Sequence, residues 1–194
     1  MAPACDKPFE CPEFDNCQRV YDDLMAQATG LISVDEYLTT DYMPSCEYVD
    51  GVLYPKPFGT NKHATIQTEI AQLINLAFRG FRASTELTVQ LRKDKYLIPD
   101  VAVQRQDLIQ DPYPIEAVHL CVEVLSPGDR ISVAFAKAEE YHAWGVPTVW
   151  ILDPEARRSW DYGAGQRPVE VPASGSLTAG EISIACKDIF DALD

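Results

Sequence analysis

Apolar residues recur at helical spacing between residues 62 and 79, where Ile66, Ile70, Leu73, Ile74 and Ala77 share one face. That period predicts an amphipathic helix, and Gly80 is placed to end it. The pattern then shifts to strands. "TELTVQLR" (85–92) alternates apolar and polar residues, and "YLIPDVAVQ" (96–104) follows directly after the turn-forming "KDK". "HLCVEVLS" (119–126) is a nearly continuous apolar run rich in β-branched residues. All three are predicted strands, with an Asp- and Pro-rich loop between the second and third. Helical spacing returns in "ISVAFAKAEEYHAW" (131–144), which Gly145 and Pro147 stop. "TVWILD" (148–153) is a further strand, "RSWDY" (158–162) a short edge strand, and "KDIFDALD" (187–194) a last helical turn. Upstream, Ser33 and Glu36 form a capping box, and Asp50-Gly51 is a two-residue hairpin turn between apolar flanks. Residues 17–28 suit a short helix carrying Val20, Leu24 and Met25, after a loose arm over 1–16. The core order of helix, three strands, helix, strand predicts an α/β fold with a central mixed β-sheet flanked by helices. The expected layout is an acidic N-terminal arm or helix (1–30) followed by one domain (31–194).

Composition narrows the class. A chain of 194 residues, 46% apolar, suits one domain with a full core rather than wholesale disorder. No apolar run approaches the ~20 residues of a membrane span. The opening "MAPACDKPFECPEFDNC" has no apolar stretch of the secretory type, so the expected location is the cytoplasm and the six cysteines are expected to be reduced. Cys5, Cys11 and Cys17 recur every six residues, which is not a zinc spacing, while Cys121 and Cys186 fit core packing. The net charge of −14 argues against broad nucleic-acid binding. Eleven acids against two bases fall in residues 1–50, so most of the negative charge lies there. Between Arg79 and Arg105 six bases face three acids, which reads either as a local basic strip or as a solvated hairpin tip.

Two carboxylates interrupt the apolar strands: Asp100 in "LIPDVAV" and Glu123 in "LCVEVLS". An ionised carboxylate in a buried strand is costly unless paired or bound to a cation. Consecutive strands are usually neighbours, so the two acids are expected within a few ångströms of each other. Two anions that close repel, and a divalent cation such as Mg²⁺ or Mn²⁺ removes the conflict. Pro99 cannot donate a ladder hydrogen bond and marks an edge or a bulge. Lys137 shares a helix face with Ala134, Tyr141 and Trp144, so its ammonium points inward or along the sheet edge. Two acids, a metal and a lysine suit phosphodiester hydrolysis. Structural roles are also open: Asp100 as a turn residue, Glu123 as half of a buried salt bridge, Lys137 as a snorkelling side chain.

The order of Asp100, Glu123 and a lysine resembles the PD-(D/E)xK nuclease superfamily. More narrowly, residues ~33–162 resemble the large bacterial family described as putative restriction endonucleases. The matching segments are "EYVDGVLYPKP" with a later His63, "IPDVAV", "VEVLSP", "KAEEYHAWGVP" and "VWILDPE". The resemblance implies a restriction-endonuclease-like fold, with Asp100 and Glu123 as metal ligands beside the backbone carbonyl of Val124. It implies Lys137 as the lysine that has moved to the following helix, because Leu125 stands where the superfamily lysine usually sits. Glu47 matches a further acid that binds a second metal or orients the first. His63, Gln67 and Ser126 match polar positions near the site, although His63 also reads as an ordinary helix-start residue and Ser126 as a cap. Val133 stands where similar chains often carry an aspartate.

The leading expectation is a Mg²⁺- or Mn²⁺-dependent endonuclease acting on DNA phosphodiesters. No base-reading motif is present, so specific recognition by an acidic protein calls for a dimer, a partner or a separate subunit, and the resemblance to the superfamily implies a homodimer. The alternative is a catalytically degenerate nuclease-fold domain that serves as an interaction module. In that alternative Asp100→Ala barely alters metal binding and stabilises the fold by removing a like charge. A small-molecule phosphoesterase is a third, weaker expectation.

Overall fold

The computed structural model describes residues 31–57 and 59–194. The expected arm, the helix over 17–28 and the Cys5/Cys11/Cys17 spacing lie outside these residues. Helix α1 (Val34–Thr39) starts as predicted: the Ser33 side chain accepts from the Glu36 N–H at 3.1 Å. Strands β1 (Cys46–Val49) and β2 (Val52–Pro55) form the predicted hairpin. Asp50 (φ 51°) and Gly51 (φ 87°) supply the two left-handed residues that this tight turn requires.

Helix α2 (Asn61–Ala77) is capped by the Thr60 hydroxyl and buries Ile66, Ile70 and Ile74 completely. Each such side chain contributes roughly 1.5–3 kcal/mol of apolar transfer. The remaining elements are β3 (Phe81–Thr85), β4 (Val89–Arg92), β5 (Lys95–Leu97), β6 (Val101–Arg105), β7 (Leu120–Val124), α3 (Ile131–Trp144), β8 (Thr148–Asp153), β9 (Arg158–Gly163), β10 (Val169–Val171), β11 (Ser176–Ala179), β12 (Ile182–Ala185) and α4 (Cys186–Phe190). Helix α3 and β8 have the predicted bounds. At the end of α3 Gly145 is left-handed (φ 115°), and Val146 N–H returns to the Tyr141 carbonyl.

The central sheet has the order β10-β9-β8-β7-β6-β3. Only β7 and β8 run parallel, because α3 carries the chain across between them; the other neighbours are antiparallel. A smaller sheet, β2-β1-β5-β4, stands beside it, and β11 and β12 pair as a hairpin. The central sheet is covered on both faces. Val101, Val103, Leu120, Val122, Trp150 and Leu152 pack towards α2, β11–β12 and α4. Ala102, Cys121, Val149 and Ile151 pack towards α3, with Val89 and Leu97 of the small sheet. Cys121 and Cys186 are buried free thiols, as their positions predicted.

Three expectations change. "TELTVQLR" and "YLIPDVAVQ" are not single strands. The first breaks at Glu86, a left-handed residue (φ 53°), and the second breaks across Ile98–Asp100 around Pro99. Of the first only Thr85 lies in the central sheet, as the end of β3, while Val89–Arg92 join the small sheet; the second gives its start to β5 of the small sheet and Val101 onward to β6 of the central one. "RSWDY" is not an edge strand, because β10 pairs along its outer side. The β11–β12 hairpin was missed, although Leu177/Ala179 and Ile182/Ile184 alternate around a left-handed Gly180. In the basic stretch Arg92 pairs with Asp50 and Asp94 at the β4–β5 turn, Lys95 with Glu140 of α3, and Arg105, at the end of β6, with Asp107.

Candidate active site

Strand register brings the two acids together. In the antiparallel β6–β7 pair Val101 faces Val122 and Ala102 faces Cys121, so one further step sets Asp100 opposite Glu123. Along β7 Val122 and Val124 point to the α2 face, which leaves Cys121 and Glu123 on the α3 face. There α3 presents Lys137 and Tyr141, one helical turn apart. Lys137 Nζ lies 2.9 Å from Glu123 Oε1 and 3.1 Å from Oε2. The fully buried Tyr141 hydroxyl donates to Glu123 Oε1 at 2.7 Å.

Asp100 sits where the chain leaves the small sheet for the central one. Its Oδ2 accepts from the Val124 N–H at 2.7 Å and lies 3.2 Å from His63 Nε2. Its Oδ1 accepts from Lys56 Nζ at 2.9 Å. Glu47, on β1, accepts from the Ile98 N–H at 2.8 Å and holds Lys137 Nζ at 2.7 Å through the same oxygen. Gln67 stands one turn after His63 on α2 and donates through Nε2 to the Asp100 carbonyl and to Glu86 Oε1, both at 2.8 Å. Ser126 lies on the rim, where its N–H donates to Asp129 Oδ2.

Glu47, Asp100 and Glu123 are 4%, 3% and 8% exposed, so three carboxylates are withdrawn from water within one cluster. They open onto a cleft of about 1070 Å³ that is also lined by Lys56, His63, Ser126, Arg130 and Lys137. Burial opposes ionisation of Asp100, but the His63 hydrogen bond and the Lys56 charge outweigh it and hold the carboxyl well below the usual range. Burial dominates at Glu123. Lys137 counteracts it, Asp100 reinforces it, and the carboxyl is pushed up to about 7. Burial lowers the affinity of His63 for its proton, yet the bond to Asp100 leaves its pKa raised.

The structure brings together Asp100, Glu123, Lys137, Glu47, His63 and Gln67, with Ser126 at the margin. The structural alternatives left open by the sequence are thereby narrowed: Lys137 does not snorkel, and Glu123 is half of a buried salt bridge with Lys137, which also pairs with Glu47. Three contributors were missed. Tyr141 was visible on the Lys137 face of the helix but was assigned no contact. Lys56 stands in the quoted "VLYPKP", and Glu86 in "TELTVQ"; neither has a sequence signal, because their approach depends on the pairing of two sheets. Among the described residues no group of three or more His, Cys, Asp or Glu side chains is arranged to hold a metal ion. No helix among them is long and apolar enough to cross a membrane.

Comparison with known proteins agrees with this architecture. A crystal structure of a putative nuclease belonging to DUF820 from Anabaena variabilis ATCC 29413 matches with a TM-score of 0.72 and 24% identity, covering 84% of this chain and 99% of the other. At that identity the likeness is one of fold. No curated protein matches the sequence. The family model described as "Uma2: Putative restriction endonuclease" matches residues 34–185, a span that takes in every site residue from Glu47 to Lys137. With most of its length matched, the chain belongs to the Uma2 family.

Proposed function

We propose that the chain is a divalent-metal-dependent endonuclease that hydrolyses DNA phosphodiesters in the cleft at Asp100 and Glu123. The observation that carries this reading is the facing pair of buried carboxylates with Lys137 held against one of them. The donor chemistry fits Mg²⁺ or Mn²⁺: the acids offer only hard oxygens, and Mg²⁺ takes one or two protein carboxylates and fills its remaining positions with water and phosphate oxygens. Asp100 and Glu123 would hold the ion with the Val124 carbonyl, and Glu47 supports them from β1. When bound, the ion polarises the phosphate and acidifies a water molecule.

The protein's own residues supply the positioning. Glu47 and Glu123 together fix the Lys137 ammonium, which would orient the attacking water or steady charge that develops on the phosphate. Tyr141 restricts the Glu123 carboxyl, and His63 with the Val124 N–H restricts Asp100. The same reading has a cytoplasmic protein acting as a homodimer, since the acidic surface offers little grip on DNA from one subunit; light scattering of the purified chain checks the assembly.

A second reading, a catalytically degenerate domain serving as an interaction module, draws on the fact that Lys56 and Lys137 already neutralise both carboxylates. Plasmid nicking at low salt with Mg²⁺ and Mn²⁺ titrated separates the two. The nuclease reading expects metal-dependent nicking that is lost in Asp100→Ala and in Lys137→Ala. Nicking that survives both substitutions, or metal binding that Asp100→Ala leaves intact, would sink it.

A further inference from the structure

The Lys56 ammonium has no part in the nuclease reading given above. It donates to Asp100 Oδ1 at 2.9 Å, to Glu86 Oε2 at 2.8 Å and to the Ile98 carbonyl at 3.0 Å. An ammonium has three N–H donors, and all three are used. Its acceptors are two carboxylates and a backbone carbonyl, the hard oxygens that a cation of the Mg²⁺ type also takes.

The cage is held in shape by its surroundings. Glu86 adopts φ 53°, a sparsely populated conformation for a residue with a side chain. Its N–H donates to the Asp100 carbonyl at 3.2 Å, and its Oε1 is fixed by Gln67, which also binds that carbonyl. The Lys56 side chain is 15% exposed, so the ion pair with Asp100 is little screened by water. Burial alone would lower the pKa of Lys56, but the Asp100 charge leaves it raised, and the residue is a fixed positive charge.

We propose that Lys56 is the resident counter-ion of Asp100: it holds that carboxylate in place when no metal is bound, and its displacement sets the affinity with which a divalent cation enters. The inference rests on the reading of Asp100 as a metal ligand given above. Entry of the ion requires a single charge to leave Asp100 Oδ1 before a double charge takes its place. A neutral residue at position 56 therefore strengthens metal binding and weakens the metal-free fold. Opposite signs distinguish this role from that of a merely structural lysine, whose loss weakens both.

The test is Mn²⁺ binding to the full chain without nucleic acid, followed by calorimetry and by the paramagnetic resonance of free Mn²⁺. Wild type, Lys56→Met, Lys56→Gln and Asp100→Ala are compared, each also melted without metal. Both Lys56 variants are expected to bind Mn²⁺ about tenfold more tightly than wild type, the size of a one-unit charge effect on a neighbouring carboxylate, to melt at lower temperature without metal, and to recover when Mn²⁺ is added. Lys56→Gln keeps an amide N–H for Asp100 and preserves the test if Lys56→Met does not fold. Equal or weaker Mn²⁺ binding in the Lys56 variants, with binding still abolished by Asp100→Ala, overturns the role of Lys56 and leaves Asp100 as a ligand. Absence of Mn²⁺ binding in wild type and in both Lys56 variants overturns the metal reading and this inference together.

Discussion

Asp100 and Glu123 face each other across two adjacent strands, yet their surroundings push them in opposite directions. Asp100 lies at a joint between sheets, where the chain bends around Pro99 and three groups converge on its oxygens: the Val124 N–H, His63 and Lys56. Glu123 lies within a regular strand, flanked on its own face by apolar neighbours, and its partners come from one helix. Burial penalises both charges, but the donors outweigh it at Asp100 and do not at Glu123. The difference shows that proximity of two acids does not make them equivalent: the number and charge of the donors that each can collect decides which one stays ionised. It also gives the site one firmly anionic carboxylate beside one whose charge is opposed by burial.

Replacing each acid by its amide breaks this asymmetry most directly. Asp100→Asn leaves Lys56 and His63 facing a neutral group in a buried place and is expected to cost about 3 kcal/mol, read from urea denaturation. Asp100→Ala is expected to cost at least as much. The degenerate-domain alternative expects this substitution to stabilise, whereas the charges around Asp100 are mostly of opposite sign and favour a loss. Glu123→Gln is expected to cost only about 1 kcal/mol by the same measurement, since Lys137 retains Glu47 and burial already works against the Glu123 charge. Equal costs at the two positions would remove the asymmetry. Tyr141→Phe deletes the only hydroxyl bonded to Glu123 among the described contacts and keeps the ring, so roughly 1 kcal/mol is expected. If the nuclease reading holds, the same variant lowers nicking while leaving Mn²⁺ affinity less affected than Glu123→Gln does. The smallest effect is expected outside the cleft: Arg105→Ala removes an exposed pair with Asp107 and should leave the denaturation midpoint unchanged.

Much of this was legible in the chain itself. Helix α3 and strand β8 could be placed to the residue because Gly145 and Pro147 punctuate an otherwise continuous pattern. The cap at Ser33 and the turn at Asp50-Gly51 follow from local chemistry that acts within four residues. Asp100 and Glu123 stood out because a carboxylate in a buried strand conflicts with its surroundings, and Lys137 stood out because it interrupts an apolar helix face. Where the sequence misled, it did so at strand breaks. Alternation continues through "TELTVQLR", and nothing in it reveals that Glu86 turns left-handed. That conformation is sustained by Gln67 and the Asp100 backbone, which are distant in the chain.

The sequence by itself thus determined the two long helices, the strands that carry the central acids, and the family to which the chain belongs, because periodicity, capping and buried-charge conflict are local or compositional signals. Only the tertiary structure decided what each charge meets. Lys56 reaches Asp100 across 44 residues, Ile98 reaches Glu47 across 51, and Gln67 reaches Glu86 across 19. Such contacts arise where the small sheet abuts the central one, and the register of that junction is set by the packing of both sheets together, which no single stretch of chain encodes.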